Sequence, residues 1–267
     1  MAARYAVIGH PVAHSRSPEI HLLFARQTGQ AIEYVRLLAP LNAFAATVAD
    51  FRAQGGKGAN VTVPFKEEAF RIASQCSPRA QAARAANFLR FERQTIYCDN
   101  TDGIGLVRDI RDNLGVPLEG KRVLVIGAGG AARGVIGPLS DEKPAALALA
   151  NRTEARARTL AGLFPGLKVL PLDRLKGERF DIVINATSAS LAGETLPLEG
   201  LFSEGMLAYD MMYGKEPTAF MSRAAAEGAR AADGLGMLIE QAAESFFLWL
   251  GARPRTLPVL EALRKEL

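Results

Sequence analysis

"KRVLVIGAGGAARGVIGPL", residues 121–139, opens on an apolar run, turns through closely spaced glycines and continues with helical spacing. A short apolar run bounded by turn residues reads as a strand buried on both faces. Gly127, Gly129 and Gly130, with Ala128 and Ala131 between and after them, permit a tight turn. They also let backbone N–H groups approach a pyrophosphate, and the helix N-terminus behind them favours negative charge. Ala132 stands at the third glycine of the fingerprint, a tolerated variant. The strand–turn–helix context is that of a dinucleotide site, although the same glycines would also serve a plain turn.

Downstream, strand-like and helix-like stretches keep alternating: AALALANRT, EARARTLAGLF, LKVLPL, FDIVINATS, GMLAYDM, a helix over 217–228 and ARAADG. Such alternation predicts an open, doubly wound parallel sheet with helices on both faces. An NAD site would carry an acidic residue about 20 positions beyond the glycines, on the ribose 2′-hydroxyl. This chain offers Asn151, Arg152 and Thr153, with Arg156 four residues beyond Arg152. Two guanidinium groups and a hydroxyl suit a 2′-phosphate, although the same residues would also serve as the solvated start of an Arg-rich helix; together with the glycine turn they make NADP(H) the expected cofactor. Thr187 and Ser188 follow the next strand at its carboxyl end, as groove lining or as turn residues.

Upstream, the first hundred residues form a second α/β unit. RYAVIG, AIEYVRLLA and GANVTVP read as strands, with ANFLRFE and QTIYCD as a hairpin. SPEIHLLFARQTG reads as a helix with Ser17 as N-cap, Pro18 at its first position and Gly29 ending it. In GANVTVPFKEE, Pro64 and the two glutamates suit a helix start but Lys66 does not, because a cation there opposes the helix dipole. A surface lysine is one reading. The other is a general acid: hydride addition to a ketone leaves an alkoxide that needs a proton, and a lysine beside a carboxylate serves both directions. Asp102 is such a carboxylate or else the N-cap of the helix GIGLVRDIRDNLG. Ser15, Ser17, Thr62 and an amide (Asn87 or Gln241) complete a set suited to a small polyhydroxy acid. His10, His14 and His21 lack metal-ligand spacing, and His21 reads as helix packing or surface.

The last apolar stripe, Ile239, Ala242, Ala243, Phe246 and Leu250, belongs to a helix expected to return to the first unit. The expected domains are therefore 1–103 completed by 238–267, and 104–237, with a cleft between. The 267 residues carry a net charge of +4 with no Lys/Arg block, which suits an anionic small molecule better than a nucleic acid. No run of about 18 apolar residues predicts a membrane span, and the N-terminus lacks a signal-peptide core. Cys76 and Cys98 lack metal-ligand spacing and do not make a disulfide framework, so a reduced, cytoplasmic setting is expected. A second copy, in a homodimer, is the one protein partner left open.

Eight segments together resemble the shikimate dehydrogenase family: VIGHPVAHSRSPEIH, GANVTVPFKEEA, DNTDGIG, VLVIGAGGAARGV, ANRT, INATSA, YDMMYGKEPTAF and DGLGMLIEQAAESFFLW. They cover nearly the whole chain in the family's order. The resemblance implies NADPH-dependent reduction of 3-dehydroshikimate to shikimate, on the route to chorismate and the aromatic amino acids. It implies Lys66 and Asp102 as the catalytic pair, and Ser15, Ser17, Thr62, Asn87, Tyr213 and Gln241 as substrate contacts. It implies cofactor contacts at Gly127, Ala128, Gly129, Gly130, Ala131, Asn151, Arg152, Thr153 and Arg156, and near Met211 and Gly234. Phe88, Cys98 and Ser190 depart from the family pattern. An NAD-using quinate/shikimate dehydrogenase would carry an acidic residue where Arg152 stands. A non-catalytic NADP(H) sensor on the same fold would have lost Lys66 or Asp102.

Overall fold

The structure is a computed structural model that describes residues 2–187 and 196–267. In chain order the first unit holds β1 (Ala3–Gly9), α1 (Ser17–Thr28), β2 (Ile32–Leu38), α2 (Phe44–Ala53), β3 (Gly56–Val61) and α3 (Lys66–Ile72). It continues with β4 (Gln75–Cys76), α4 (Pro78–Ala83), β5 (Phe88–Phe91) and β6 (Ile96–Asp99). These strands form one sheet in the order β2-β1-β3-β5-β6-β4. β2, β1 and β3 run parallel; β5 and β6 form the expected antiparallel hairpin. The short β4 and α4 have no counterpart in the expected elements. A strand of two residues and a helix of six are too short for either periodicity to register, although Ser77 caps α4 with Pro78 behind it.

α5 (Asp102–Arg108) leads from this sheet through a π-helical turn, Asp109–Asn113, to the second. There follow β7 (Arg122–Ile126), α6 (Gly130–Asp141), β8 (Ala146–Ala150), α7 (Glu154–Ala161), β9 (Lys168–Leu170), β10 (Ile182–Asn185), β11 (Leu207–Asp210), α8 (Ala219–Ala226) and β12 (Arg230–Ala232). All pairs are parallel, in the order β12-β11-β10-β7-β8-β9. This is the expected doubly wound sheet, and the strand order reverses between β7 and β10. Val123, Val125 and Ile184 face one apolar core and Leu124, Ile126 and Val183 the other, which is why these strands read as unbroken apolar runs.

α9 (Leu235–Leu250) and α10 (Leu257–Glu266) close the chain. Ile239, Ala242, Ala243 and Phe246 of α9 pack with Ile20 and Phe24 of α1 and Val259 and Leu263 of α10. Two glycines of α5 set its neighbours. A Cβ on Gly103 would run into the Gly134 carbonyl and the Pro138 ring of α6. A Cβ on Gly105 would lie 2.7 Å from the Gln241 backbone of α9. α5 is thus held at near-backbone distance by a helix of each unit.

Ser17 is the first residue of α1 and its side chain makes no cap bond; Arg16 precedes it. Pro64 lies before α3, not in its first turn, and Lys66 is the first helical residue. Asp102 likewise opens α5 instead of capping it. His21, on the buried face of α1, is fully enclosed. It stacks on Tyr34 at 4.3 Å and its Nε2 meets Asn60 Oδ1 at 3.2 Å. Burial lowers its pKa from 6.5 to about 3, against the opposing pull of the Asn60 bond.

The unfolded chain therefore takes up a proton near pH 6.5 that the folded chain refuses until about pH 3. Stability from this group is complete above pH 6.5 and is lost as pH falls below it. Urea unfolding at pH 7.5 and 5.5 should show a loss of about 1.4 kcal/mol that His21→Phe removes. Equal pH dependence in both proteins would contradict the neutral, buried imidazole.

Candidate active site

A cleft of about 440 Å3 lies between the carboxyl end of the first sheet, the glycine turn after β7 and the start of α9. Lys66 and Asp102 meet in it, with Nζ 2.6 Å from Oδ2. Their side chains are 16% and 7% exposed, so the pair is screened from bulk water while still facing the cleft. At this separation the contact is a short, charge-assisted hydrogen bond. The second Asp102 oxygen accepts a bond from Asn87 Nδ2 at 2.9 Å. The Asp102 N–H donates to Asn100 Oδ1. Lys66 keeps further N–H bonds to offer, in the manner of a proton donor to a reacting oxygen.

Ser15, Ser17, Thr62, Asn87, Tyr213 and Gln241 all line the same cleft. The Ser15 hydroxyl donates to Ser17 Oγ at 3.2 Å. Burial raises the Tyr213 pKa, keeping the phenol a donor. Gln241 Oε1 accepts from Asn87 at 3.1 Å and from Thr101 Oγ1 at 3.3 Å. Asn87 has a structural part as well as a place on the wall. Its Oδ1 accepts the Thr101 N–H at 2.8 Å, and its Nδ2 is shared among Thr101, Asp102 and Gln241. Phe88, beside it, turns its ring onto Trp249 at 5.0 Å, so this departure from the family pattern leaves Asn87 in place. Cys98 packs in the core of the first unit.

Beneath the wall lies a polar layer that sequence pattern does not disclose. Asn60 Oδ1 accepts Tyr34 Oη at 2.7 Å, and its Nδ2 donates to the Asn87 carbonyl at 3.1 Å and to Ser245 Oγ at 2.9 Å. Ser245 in turn meets Thr101 Oγ1 at 3.2 Å. The one available signal is an amide in a strand where its neighbours Ala59 and Val61 are apolar and buried.

The opposite wall belongs to the second sheet. Gly127 has φ +116°, where L side chains are strained, and a Cβ there would lie 3.0 Å from the Ala186 carbonyl oxygen. Gly129 precedes α6 and Gly130 opens it, where a Cβ would lie 3.9 Å from Lys66 Cβ. Ala131, Met211 and Gly234 line the cleft, while Ala128 is half-buried in the turn. Any side chain on Gly234 would strike the Met211 carbonyl. The switch point thus has a side-chain-free cradle beside Lys66, as a pyrophosphate and nicotinamide require. Farther along, Asn151, Arg152 and Thr153 follow β8, and Arg156 stands in the first turn of α7. Asn151 Nδ2 bonds the Thr153 carbonyl at 2.8 Å. The Thr187 hydroxyl donates to Asn185 Oδ1 at 2.8 Å. Ser188 and Ser190 lie outside the described residues. Among the described residues no group of three His, Cys, Asp or Glu could hold a metal ion, and no helix is long and apolar enough to cross a membrane.

Three family models match the chain: the shikimate dehydrogenase substrate binding domain at residues 7–89, shikimate/quinate 5-dehydrogenase at 109–193, and the shikimate 5′-dehydrogenase C-terminal domain at 234–264. The shikimate dehydrogenase (NADP(+)) of Cupriavidus taiwanensis is 56% identical over 279 residues, covering 100% of this chain and 95% of that protein. That of Nitrosospira multiformis is 57% identical over 272 residues, covering 100% and 99%. Among solved structures, an Ael1 enzyme from Pseudomonas putida matches with TM-score 0.92 at 48% identity, covering 98% of each chain. Shikimate 5-dehydrogenase from Thermus thermophilus, in complex with NADP(H) and shikimate, matches with TM-score 0.90 at 35% identity, covering 99% of this chain and 100% of that one.

Thr218 caps α8, accepting the Met221 N–H at 3.2 Å, so Thr218→Ala should lose about 1 kcal/mol or more of stability and leave KM for shikimate alone. Ser17 makes no cap bond and lines the cleft, so Ser17→Ala should raise KM for shikimate. Urea denaturation and initial rates on the same samples separate a lining hydroxyl from a capping one. A Ser17 variant with lowered stability and unchanged kinetic constants would restore the cap reading.

Proposed function

The chain belongs to the shikimate dehydrogenase family, and we propose that it catalyses the reversible NADPH-dependent reduction of 3-dehydroshikimate to shikimate. The observation that carries the reading is the Lys66–Asp102 pair, 2.6 Å apart, on the cleft wall that faces the glycine turn. In this reading residues 1–103 with 238–267 bind substrate and do the proton chemistry, and 104–237 bind the cofactor. The mixed sheet with α9 and α10 packed against α1, and the separate parallel sheet, support that division.

The residues present suit the cofactor. The Gly127 N–H is bonded to the Ala150 carbonyl, but the N–H groups at the start of α6, behind the side-chain-free Gly129 and Gly130, would serve the pyrophosphate, and Asn151, Arg152, Thr153 and Arg156 offer donors and positive charge to a 2′-phosphate. Met211 and Gly234, on the cleft wall, and Thr187, after β10, would hold the nicotinamide end. When bound, the nicotinamide supplies the hydride to the carbonyl carbon and takes it back in the reverse direction. Lys66 Nζ hydrogen-bonds the carbonyl oxygen, stabilises charge as it develops there and transfers a proton to it. Asp102 holds the ammonium in place and compensates its charge. In the oxidation direction the substrate hydroxyl returns its proton to the pair. The Ser15, Ser17, Thr62 and Tyr213 hydroxyls, with the Asn87 and Gln241 amides, bind the hydroxyl and carboxylate groups of the substrate and orient its ring. A small-molecule substrate is all this chemistry needs; it calls on no nucleic acid, membrane or second copy of the chain. Two unlinked cysteines are in keeping with a cytoplasmic setting.

Initial rates with shikimate and quinate, each with NADP+ and NAD+, test the assignment. Shikimate with NADP+ should give the highest kcat/KM. A preference for quinate with NAD+ would overturn it in favour of the quinate-type activity.

Lys66→Ala should lower kcat by about 10²–10⁴-fold, the usual worth of a general acid–base group, with NADP+ affinity unchanged. Wild-type turnover would remove Lys66 from the chemistry. Arg152→Ala should raise KM for NADP+ by about 10–100-fold, since a hydrogen bond to a charged group is worth roughly 1.5–3 kcal/mol. KM for NAD+ should barely change, and equal losses for both cofactors would contradict a phosphate contact.

A further inference from the structure

Asp102 and Gln241 face one cleft from elements far apart in the chain, and outside that cleft one side chain ties the strand end that leads to Asp102 to the helix that carries Gln241. Arg79, the second residue of α4, forks between two carboxylates. Its Nη2 lies 2.6 Å from Asp99 Oδ2 and its Nε 3.1 Å from Asp99 Oδ1. Its Nη1 lies 3.5 Å from Glu244 Oε1. Asp99 ends β6, three residues before Asp102; Glu244 is on α9, one turn after Gln241. Asp99 and Glu244 are 2% and 6% exposed, so both charges depend on protein partners.

The two ends of the fork are not equivalent. Glu244 has other cations: Arg108 Nη1 at 2.8 Å and Arg253 Nη1 at 3.2 Å. Asp99 has Arg79 as its ion-pair partner among the described residues, supplemented by the Ser77 hydroxyl and the Asn100 N–H. The last of these, at 2.7 Å, starts the turn through Asn100 and Thr101 that delivers Asp102 to Lys66. Removing the guanidinium leaves a buried carboxylate at the root of this turn without its ion-pair partner and takes away the ion pair between α4 and α9. The fork's bonds run to β6 and α9, whereas the glycine turn and the residues after β8 belong to the other sheet.

We propose that Arg79 is a positioning residue for the reaction: it fixes the spacing between the turn that carries Asp102 and the helix that carries Gln241. The inference rests on the proposed role of the Lys66–Asp102 pair. Its signature is a loss in kcat without a loss in cofactor binding, because small displacements of reacting groups cost far more than the contacts themselves. Lysine cannot reproduce the fork, since one ammonium does not make parallel bonds to Asp99 and also reach Glu244.

The test measures kcat, KM for shikimate and KM for NADP+ in Arg79→Lys and Arg79→Ala, with Lys66→Ala in parallel. Arg79→Lys should fold, keep KM for NADP+ within about twofold and lose about 10-fold in kcat; Arg79→Ala, where it folds, should lose about 100-fold. Arg79→Lys keeps the question open to refutation if the alanine variant does not fold. Wild-type kcat in Arg79→Lys, or a kcat loss matched by an equal loss of NADP+ affinity, would overturn the proposal. Normal turnover in Lys66→Ala would instead overturn the role of the pair, and an inactive Lys66→Ala beside a fully active Arg79→Lys would overturn only the positioning role of Arg79.

Discussion

A cation at the first position of a helix, and a carboxylate three strands away in the chain, hold each other at 2.6 Å in a largely buried setting. Burial withdraws hydration from both, and removing one partner from such a pair costs about 3–5 kcal/mol because the other is left uncompensated. Lys66 sits against the dipole of α3 because Asp102 is there to receive it. Around this pair the polar groups are ordered in layers: Asn87 holds the second Asp102 oxygen, Thr101 and Gln241 hold Asn87, and Asn60 and Ser245 lie beneath them. A chain of bonds to packed side chains gives the lysine one position relative to the cleft, which proton transfer in a fixed geometry requires.

α5 is the mechanical counterpart of that pair. Its first residue is Asp102, its Gly103 meets α6 of the parallel sheet, and its Gly105 meets α9 beside Gln241. One short helix thereby touches the proposed proton-transfer pair, the helix of the glycine turn and the helix that completes the substrate wall. The absence of side chains at two positions allows it. The backbone approach at Gly103 sets how far the glycine turn stands from Lys66, and the approach at Gly105 sets where Gln241 enters the cleft.

The parallel sheet was legible because its strands are buried on both faces and its glycines stand at the switch point, where sequence and backbone conformation make the same demand. Gly29 ended α1 in the left-handed conformation as expected, and the apolar stripe of α9 faces the core of the first unit. Where a residue type has two uses, sequence could not choose: Ser17 and Asp102 look like caps, yet each is the first helical residue with its side chain on the cleft. β4 and α4 are too short to carry a period. The Asn60–Ser245 bond and the Arg79 fork join residues distant in sequence through side chains alone, and no local pattern encodes such a pairing.

Whether Lys66 and Asp102 work as a unit is measured most directly by a double-mutant cycle on kcat. Lys66→Ala, Asp102→Asn and the combined variant would be compared in shikimate oxidation with NADP+, at saturating concentrations of both. Groups that act together are strongly non-additive, so the double variant should be about as slow as the slower single one. Losses that multiply would show two residues contributing independently, and would contradict a pair that moves the proton as one unit.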